Sequence, residues 1–270
     1  MTNLQNLDMN VYTQIAERMK AERAEAANKS RQQIITPGQQ IITPQTTNPA
    51  AEDKKGYVYV PALGLYVSED KYLHGYRWDQ AQQLLHKEGR RMPTIPEFIE
   101  FLKYLRSNDG RLIVRPAQRI LDEIYKVTGN RRSEWLDAKF EEKSDGMYVF
   151  YYVFEDNGRI VQKQEKLEDY LTDDKTPGID LDFWLASHTK QGLPRVNCPK
   201  GKLHYWSPKN GHIAGFVSNP IKAYLSCIGD TDDPSVNLGV RYVEPRKDNT
   251  KEIETDEQTE INLEDGSLFQ

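Results

Sequence analysis

The run Gly89-Arg90-Arg91-Met92-Pro93-Thr94-Ile95-Pro96-Glu97 constrains this chain more than any other stretch. Upstream, Trp78, Ala81, Leu84 and Leu85 share one face of a helix that begins near Arg77, and Gly89 stops it. Downstream, Thr94 and Glu97 have the spacing of a capping box, in which each side chain satisfies a backbone N–H of the first turn. Pro96 falls inside that turn, where its missing N–H costs nothing. The helix so opened carries the core-facing stripe Phe98, Phe101, Leu102 and Leu105. Two helices meeting at this break are the best-specified part of the sequence.

Further elements follow from pattern. Gly56–Val67 is rich in strand formers, with Pro61 and Gly64 as punctuation, and reads as two short strands or a strand and a turn. Ile120, Leu121, Ile124 and Tyr125 mark another helix, ended by Gly129. Met147–Phe154, the turn Glu155-Asp156-Asn157-Gly158 and Arg159–Gln164 read as a hairpin. Leu181, Trp184, Leu185 and His188 suggest one more short helix. Tyr205-Trp206, Ile213–Val217, Ala223–Ile228 and Leu238–Val243 are candidate strands. Helices early and antiparallel strands late indicate an α+β domain over 56–245.

The two ends differ from this centre. Only 37% of the 270 residues are hydrophobic and 29% are charged, with a mean hydropathy of −0.76, so part of the chain is expected not to fold. Residues 1–30 hold a helix whose row Leu7, Val11, Ile15 and Met19 stops at Arg23. So short a row reads either as a marginal solvent-exposed helix or as one that self-associates or docks on a partner. Residues 31–55 repeat QQIITP at Gln32–Pro37 and Gln39–Pro44 and read as an extended linker. Residues 246–270 hold eight acidic and three basic residues and read as a disordered acidic tail.

Composition also narrows function. A net charge of −5 argues against whole-protein attraction to nucleic acid. No apolar run is long enough for a membrane span, and the start has no signal-peptide pattern, so a cytoplasmic or particle-associated location is expected. Cys198 and Cys227 cannot build a disulfide framework. No dinucleotide-binding glycine run, Walker lysine loop, nucleophile elbow or HExxH helix occurs, and the five histidines never take paired ligand spacing. No cofactor and no catalytic set are expected. Asp230-Thr231-Asp232-Asp233 offers oxygen ligands for a hard cation, but lacks the glycine and distal glutamate of an EF-hand.

The Trp78-led helix, the Gly89–Glu97 run, Tyr205-Trp206, Ile213-Ala214-Gly215-Phe216, Leu225-Ser226-Cys227 and Leu238-Gly239-Val240-Arg241 together carry a resemblance. The chain resembles the C-type-lectin-like fold, in the branch of formylglycine-generating-enzyme-type domains and the variable proteins of diversity-generating retroelements. The resemblance covers about 57–243, interrupted by an inserted helix and hairpin region around 107–200. Arg241 would pair with a carboxylate such as Glu97 and tie the closing strand to the second helix.

What the resemblance implies is recognition rather than catalysis. In such variable proteins the stretch before the closing strand displays exchangeable side chains on a rigid scaffold. Here it spans 217–235, and its candidate ligand-binding residues are Val217, Ser218, Asn219, Lys222, Tyr224, Ser226, Ile228, Asp230, Thr231, Asp232 and Asp233. Ala223, Leu225 and Cys227 would face the core while Tyr224, Ser226 and Ile228 face a protein or surface-glycan partner. One alternative is a structural or assembly protein whose N-terminal helix and linker attach the head to a virion or surface complex. The other is a formylglycine-generating-type copper-thiolate oxidase, for which the separation of Cys198 from Cys227 does not match the expected cysteine pair.

Overall fold

The computed structural model describes residues 54–107, 114–125, 132–218, 222–234 and 236–246, all within one compact unit. The helix expected over 1–30, the linker up to residue 53, the stop at Gly129 and the tail beyond Arg246 lie outside the described residues.

Helix α1 (Trp78–Lys87) closes as its sequence demands. Gly89 takes a φ of +67°, and the N–H groups of Gly89 and Arg90 donate to the carbonyls of His86 and Leu85. Helix α2 (Ile95–Ser107) opens with the capping box: Thr94 N donates to Glu97 Oε2 at 2.8 Å, and Glu97 N to Thr94 Oγ1 at 3.4 Å. Its stripe is buried, with Ile95 and Ile99 added to the four apolar residues expected. Helices α3 (Val114–Tyr125) and α4 (Leu181–Ala186) complete the set, the last capped by Asp180, whose carboxylate accepts from Phe183 N at 2.7 Å.

The described strands are β1 (Tyr57–Val60), β2 (Leu65–Ser68), β3 (Arg132–Lys143), β4 (Gly146–Phe154), β5 (Ile160–Lys166), β6 (Lys175–Ile179), β7 (Leu203–Trp206), β8 (Ile213–Ser218), β9 (Ala223–Gly229), β10 (Leu238–Gly239) and β11 (Val243–Pro245). A small sheet runs β1-β2-β11, so the first strands of the body share a sheet with the last. The large sheet runs β5-β4-β3-β8-β9-β7-β6, with β10 lying parallel to the start of β3. The α+β class follows. The stretch 107–200, expected as an insertion, supplies four strands of this sheet, β5, β4 and β3 at one end and β6 at the other, and β3 joins them to the rest by pairing with β8.

Both faces of the sheet are covered. On one, Phe98 of α2, Tyr125 of α3 and Trp184 of α4 surround Phe216, with ring centroids 5.3, 6.0 and 6.5 Å away. On the other, Trp78, Ala81 and Leu85 of α1 pack with Trp135, Ile213, Leu238, Val240 and Tyr242. The Trp78 indole N–H donates to the Leu136 carbonyl at 3.0 Å and fixes the helix against β3.

The helix break and the closing segment belong to one body. Arg91 and Val243 exchange backbone bonds of 3.3 and 2.8 Å, and Tyr72 and Val240 bonds of 2.8 and 2.9 Å. Arg241, however, does not meet Glu97. Arg91 takes that carboxylate in a two-point contact of 2.7 and 2.5 Å. Arg91 and Glu97 are only six positions apart, and the helix start aims them at each other. Arg241 is fully buried beyond β10, with Glu134 at 3.1 Å, Glu123 at 3.2 Å and the Ser68 carbonyl at 3.3 Å; it also donates to the Glu69 carbonyl.

Candidate functional site

The stretch 217–235 divides by burial. Val217, Ser218 and Tyr224 are buried, Lys222, Ser226 and Ile228 are half-buried, Thr231 and Asp233 likewise, and Asp230 and Asp232 are exposed; Asn219 lies outside the described residues. The expected alternation holds for Leu225 and Cys227, which face the core, and fails at Tyr224, which is only 7% exposed. The reason is β7, which runs parallel to β9 and places Trp206 beside Tyr224, ring centroids 4.7 Å apart and edge to face. Lys222 Nζ sits 5.3 Å from the Trp206 ring and 5.9 Å from Tyr224, adding cation–π contacts. Tyr224 is thus a packing residue.

The exposed part of the stretch meets a segment that sequence reasoning passed over. Among the described residues the exposed large hydrophobic side chains are Tyr72, Tyr76, Val196 and Val236, at 43%, 44%, 68% and 75%. Three of these four stand on two adjoining loops, 69–77 and 230–237, of which Ser235 lies outside the described residues. Backbone bonds tie loop 69–77 to the segment that directly follows 230–237: the Tyr72–Val240 pair, and Gly75 N to the Leu238 carbonyl at 3.4 Å. Arg77 bridges them through Asp232 at 3.3 Å while also touching Asp79 at 3.3 Å. Asp230 accepts from Asp232 N at 2.9 Å and shapes the turn. Gly239 allows the His74 ring to lie against the backbone, since a Cβ there would come within 2.7 Å of His74 Cε1. No periodicity marks Tyr72 or Tyr76, so only their approach to 230–237 in three dimensions identifies them.

The acidic run does not converge into an ion cage: the Asp232 carboxylate is turned to Arg77, and among the described residues no three His, Cys, Asp or Glu side chains group as a metal set. The two cysteines are poorly suited to thiolate chemistry. Cys227 is fully buried and burial pushes its thiol up; Cys198 is half-buried, its thiol also raised by burial, with Sγ 3.9 Å from the Asp180 carbonyl.

A second polar arrangement lies where β3, β4 and β5 meet the start of α2. A cavity of about 80 Å³ is lined by Thr94, Ile95, Pro96, Asp137, Tyr151 and Glu165, among others. Asp137 is fully buried and accepts from Gln82 Nε2 at 2.7 Å and from Tyr152 N at 2.8 Å. Burial pushes its carboxyl up to about 8 against the opposing pull of those two bonds and of Arg91. Glu165 behaves oppositely: despite partial burial it is held below the usual range by Lys190, Tyr151 and Gln191, at 2.8, 2.8 and 2.7 Å. The cavity is thus lined by one carboxyl whose proton affinity burial raises and another whose proton affinity its partners lower. No protein-family model matches the chain, and no curated protein and no solved structure matches it.

Proposed function

We propose that the chain is a recognition protein, in which a C-type-lectin-like scaffold presents loops 69–77 and 230–237 to a macromolecular partner. The observation that carries this is the placing of Tyr72, Tyr76 and Val236 on two adjoining loops, the first tied by backbone bonds to the segment that follows the second. Exposed apolar side chains in one place mark interaction surfaces, whereas scattered ones need no explanation. Tyr, Asp and Asn on these loops combine stiff amphipathic contact area with short hydrogen-bonding groups. The C-type-lectin-like part draws support from the common body of the Gly89–Glu97 run and the Leu238–Arg241 segment, and from the joining of first and last strands in one small sheet. Of the expected ligand-binding set this reading uses Asp230, Thr231, Asp232 and Asp233, which share the second loop, and it adds Tyr72, Tyr76 and Val236. The buried Cys227 counts against the oxidase alternative.

The test is photo-cross-linking in cells that produce the chain. A benzophenone amino acid replaces Tyr76, Val236 or, as a remote control, the exposed Lys163 of β5. Discrete adducts at 76 and 236 and none at 163 are expected. Equal adducts at all three positions, or none at 76 and 236, refute the assignment of the surface.

A further inference from the structure

We infer that the partner of this loop surface is a protein whose contact patch is apolar at its centre and rimmed by lysine and arginine; the inference rests on the recognition reading above. The apolar centre follows from Tyr72, Tyr76 and Val236, which leave large fractions of their side chains in water and gain most from burial against another apolar surface.

The basic rim follows from charge. Loops 69–77 and 230–237 carry five carboxylates, Glu69, Asp70, Asp230, Asp232 and Asp233, against the two cations Lys71 and Arg77. Lys71 is not shown to a partner: its side chain is only 7% exposed and its ammonium lies 3.4 Å from Glu123. Arg77 is already shared between Asp79 and Asp232. From the flank, Arg119 of α3 reaches Glu69 at 2.9 Å and Asp70 at 2.6 Å, offsetting one charge of that pair. The surface therefore keeps a negative field at both ends of its apolar centre.

That field repels nucleic acid and other polyanions, and draws in a basic protein surface at a rate that salt reduces. A neutral glycan gains nothing in encounter from that field, so the charge of the rim favours a protein. The backbone of loop 69–77 is pinned before binding by the Tyr72–Val240 pair, which lowers its ordering cost on association.

A random dodecapeptide library displayed on phage, panned on the full chain, tests this without knowledge of the natural partner. Enriched peptides are expected to combine aromatic or aliphatic residues with Lys or Arg. Their affinity should fall about tenfold or more on Tyr76→Ser/Val236→Ser, and comparably on Asp230→Asn/Asp232→Asn. It should also weaken as sodium chloride rises from about 50 mM to about 500 mM. Both double variants change exposed side chains, and an unchanged melting curve shows that they fold. Tyr72 is left intact because its ring packs 5.1 Å from Tyr242. Peptides that lose binding on Tyr76→Ser/Val236→Ser but carry no basic residues and ignore Asp230→Asn/Asp232→Asn overturn the basic partner while leaving recognition at the loops standing. Peptides indifferent to both double variants, or no enrichment at all, overturn both.

Discussion

Asp137 shows how far one side chain can depart from its ordinary behaviour when the fold removes its water. It stands on β3 between the amide of Gln82 and the backbone N–H of Tyr152, with a folded pKa of about 8 against an ordinary 3.8. The native state therefore favours the protonated form. The stability this contributes is complete below pH 3.8 and is lost as the pH rises through about 8. Within that window the slope is about 1.4 kcal/mol per pH unit. Melting temperature is expected to fall from pH 5 to pH 9 in the native chain. In Asp137→Asn that slope should be largely absent: the variant melts lower at pH 5, because one amide oxygen cannot satisfy both donors, and the gap narrows by pH 9. Equal slopes in thermal melts of the two proteins would show that Asp137 is ionised throughout. The sequence gives little sign of this residue. Asp137 follows Trp135-Leu136 in a run rich in Glu and Lys, where a buried carboxyl and a solvated one look alike. Asp230 and Asp232 were legible as surface residues because turn chemistry surrounds them, whereas Tyr224 was misread because its cover, Trp206, comes from a different strand.

At the scale of elements, legibility tracked local punctuation. Helices α1 and α2 and the β4–β5 hairpin each carry their own stop, cap or turn, so they are legible directly, whereas α4 is legible only as a short apolar cluster whose Asp180 cap and end at Ala186 the sequence pattern does not mark. Strand β3 carries none. It is covered on both faces, so Trp135, Leu136, Ala138 and Phe140 break simple alternation, and its register shifts between Trp135 and Lys139. Strand β6 was equally hidden, since Lys175-Thr176-Pro177-Gly178-Ile179 looks like a turn. Its place depends on Gly178. A Cβ there would lie 1.7 Å from the Leu203 carbonyl oxygen on β7, a backbone atom that cannot step aside without separating the strands. Gly178→Ala is expected to cost more than about 3 kcal/mol in urea unfolding, at the severe end for a single substitution. Gly158→Ala is the control. Its φ is +79° and nothing lies within 4 Å of the added Cβ, so only the left-handed backbone penalty of about 1–2 kcal/mol applies. Similar losses for the two would mean that the β6–β7 contact yields easily.

For the molecule as a whole, the question is what makes a small sheet, a large sheet and four described helices unfold together. Apolar packing supplies part of the answer, because Val58, Val67 and Val243 of the small sheet belong to the same buried cluster as Phe98, Phe216 and Leu225. Arg241 supplies the rest. From the closing segment it reaches Glu123 on α3, Glu134 on β3 and the carbonyls of Ser68 and Glu69 at the end of β2. One guanidinium thereby joins pieces far apart in sequence, and its planar, permanently charged form suits several acceptors at once. Removing it strands the Glu134 carboxylate, which is only 3% exposed on its side chain. Arg241→Met replaces the apolar stem but removes the guanidinium and leaves that buried carboxylate unpaired, and a loss of about 3–5 kcal/mol is expected in urea unfolding. Near-ultraviolet and far-ultraviolet circular dichroism report tertiary packing and secondary structure respectively, and their transitions should coincide in the native chain. In Arg241→Met they should separate, with near-ultraviolet signal lost first, because Tyr57, Tyr66, Tyr72 and Tyr242 crowd the small sheet that the arginine anchors. Coincident transitions with a loss below about 1 kcal/mol would place the coupling in the apolar cluster alone and reduce Arg241 to a buried passenger.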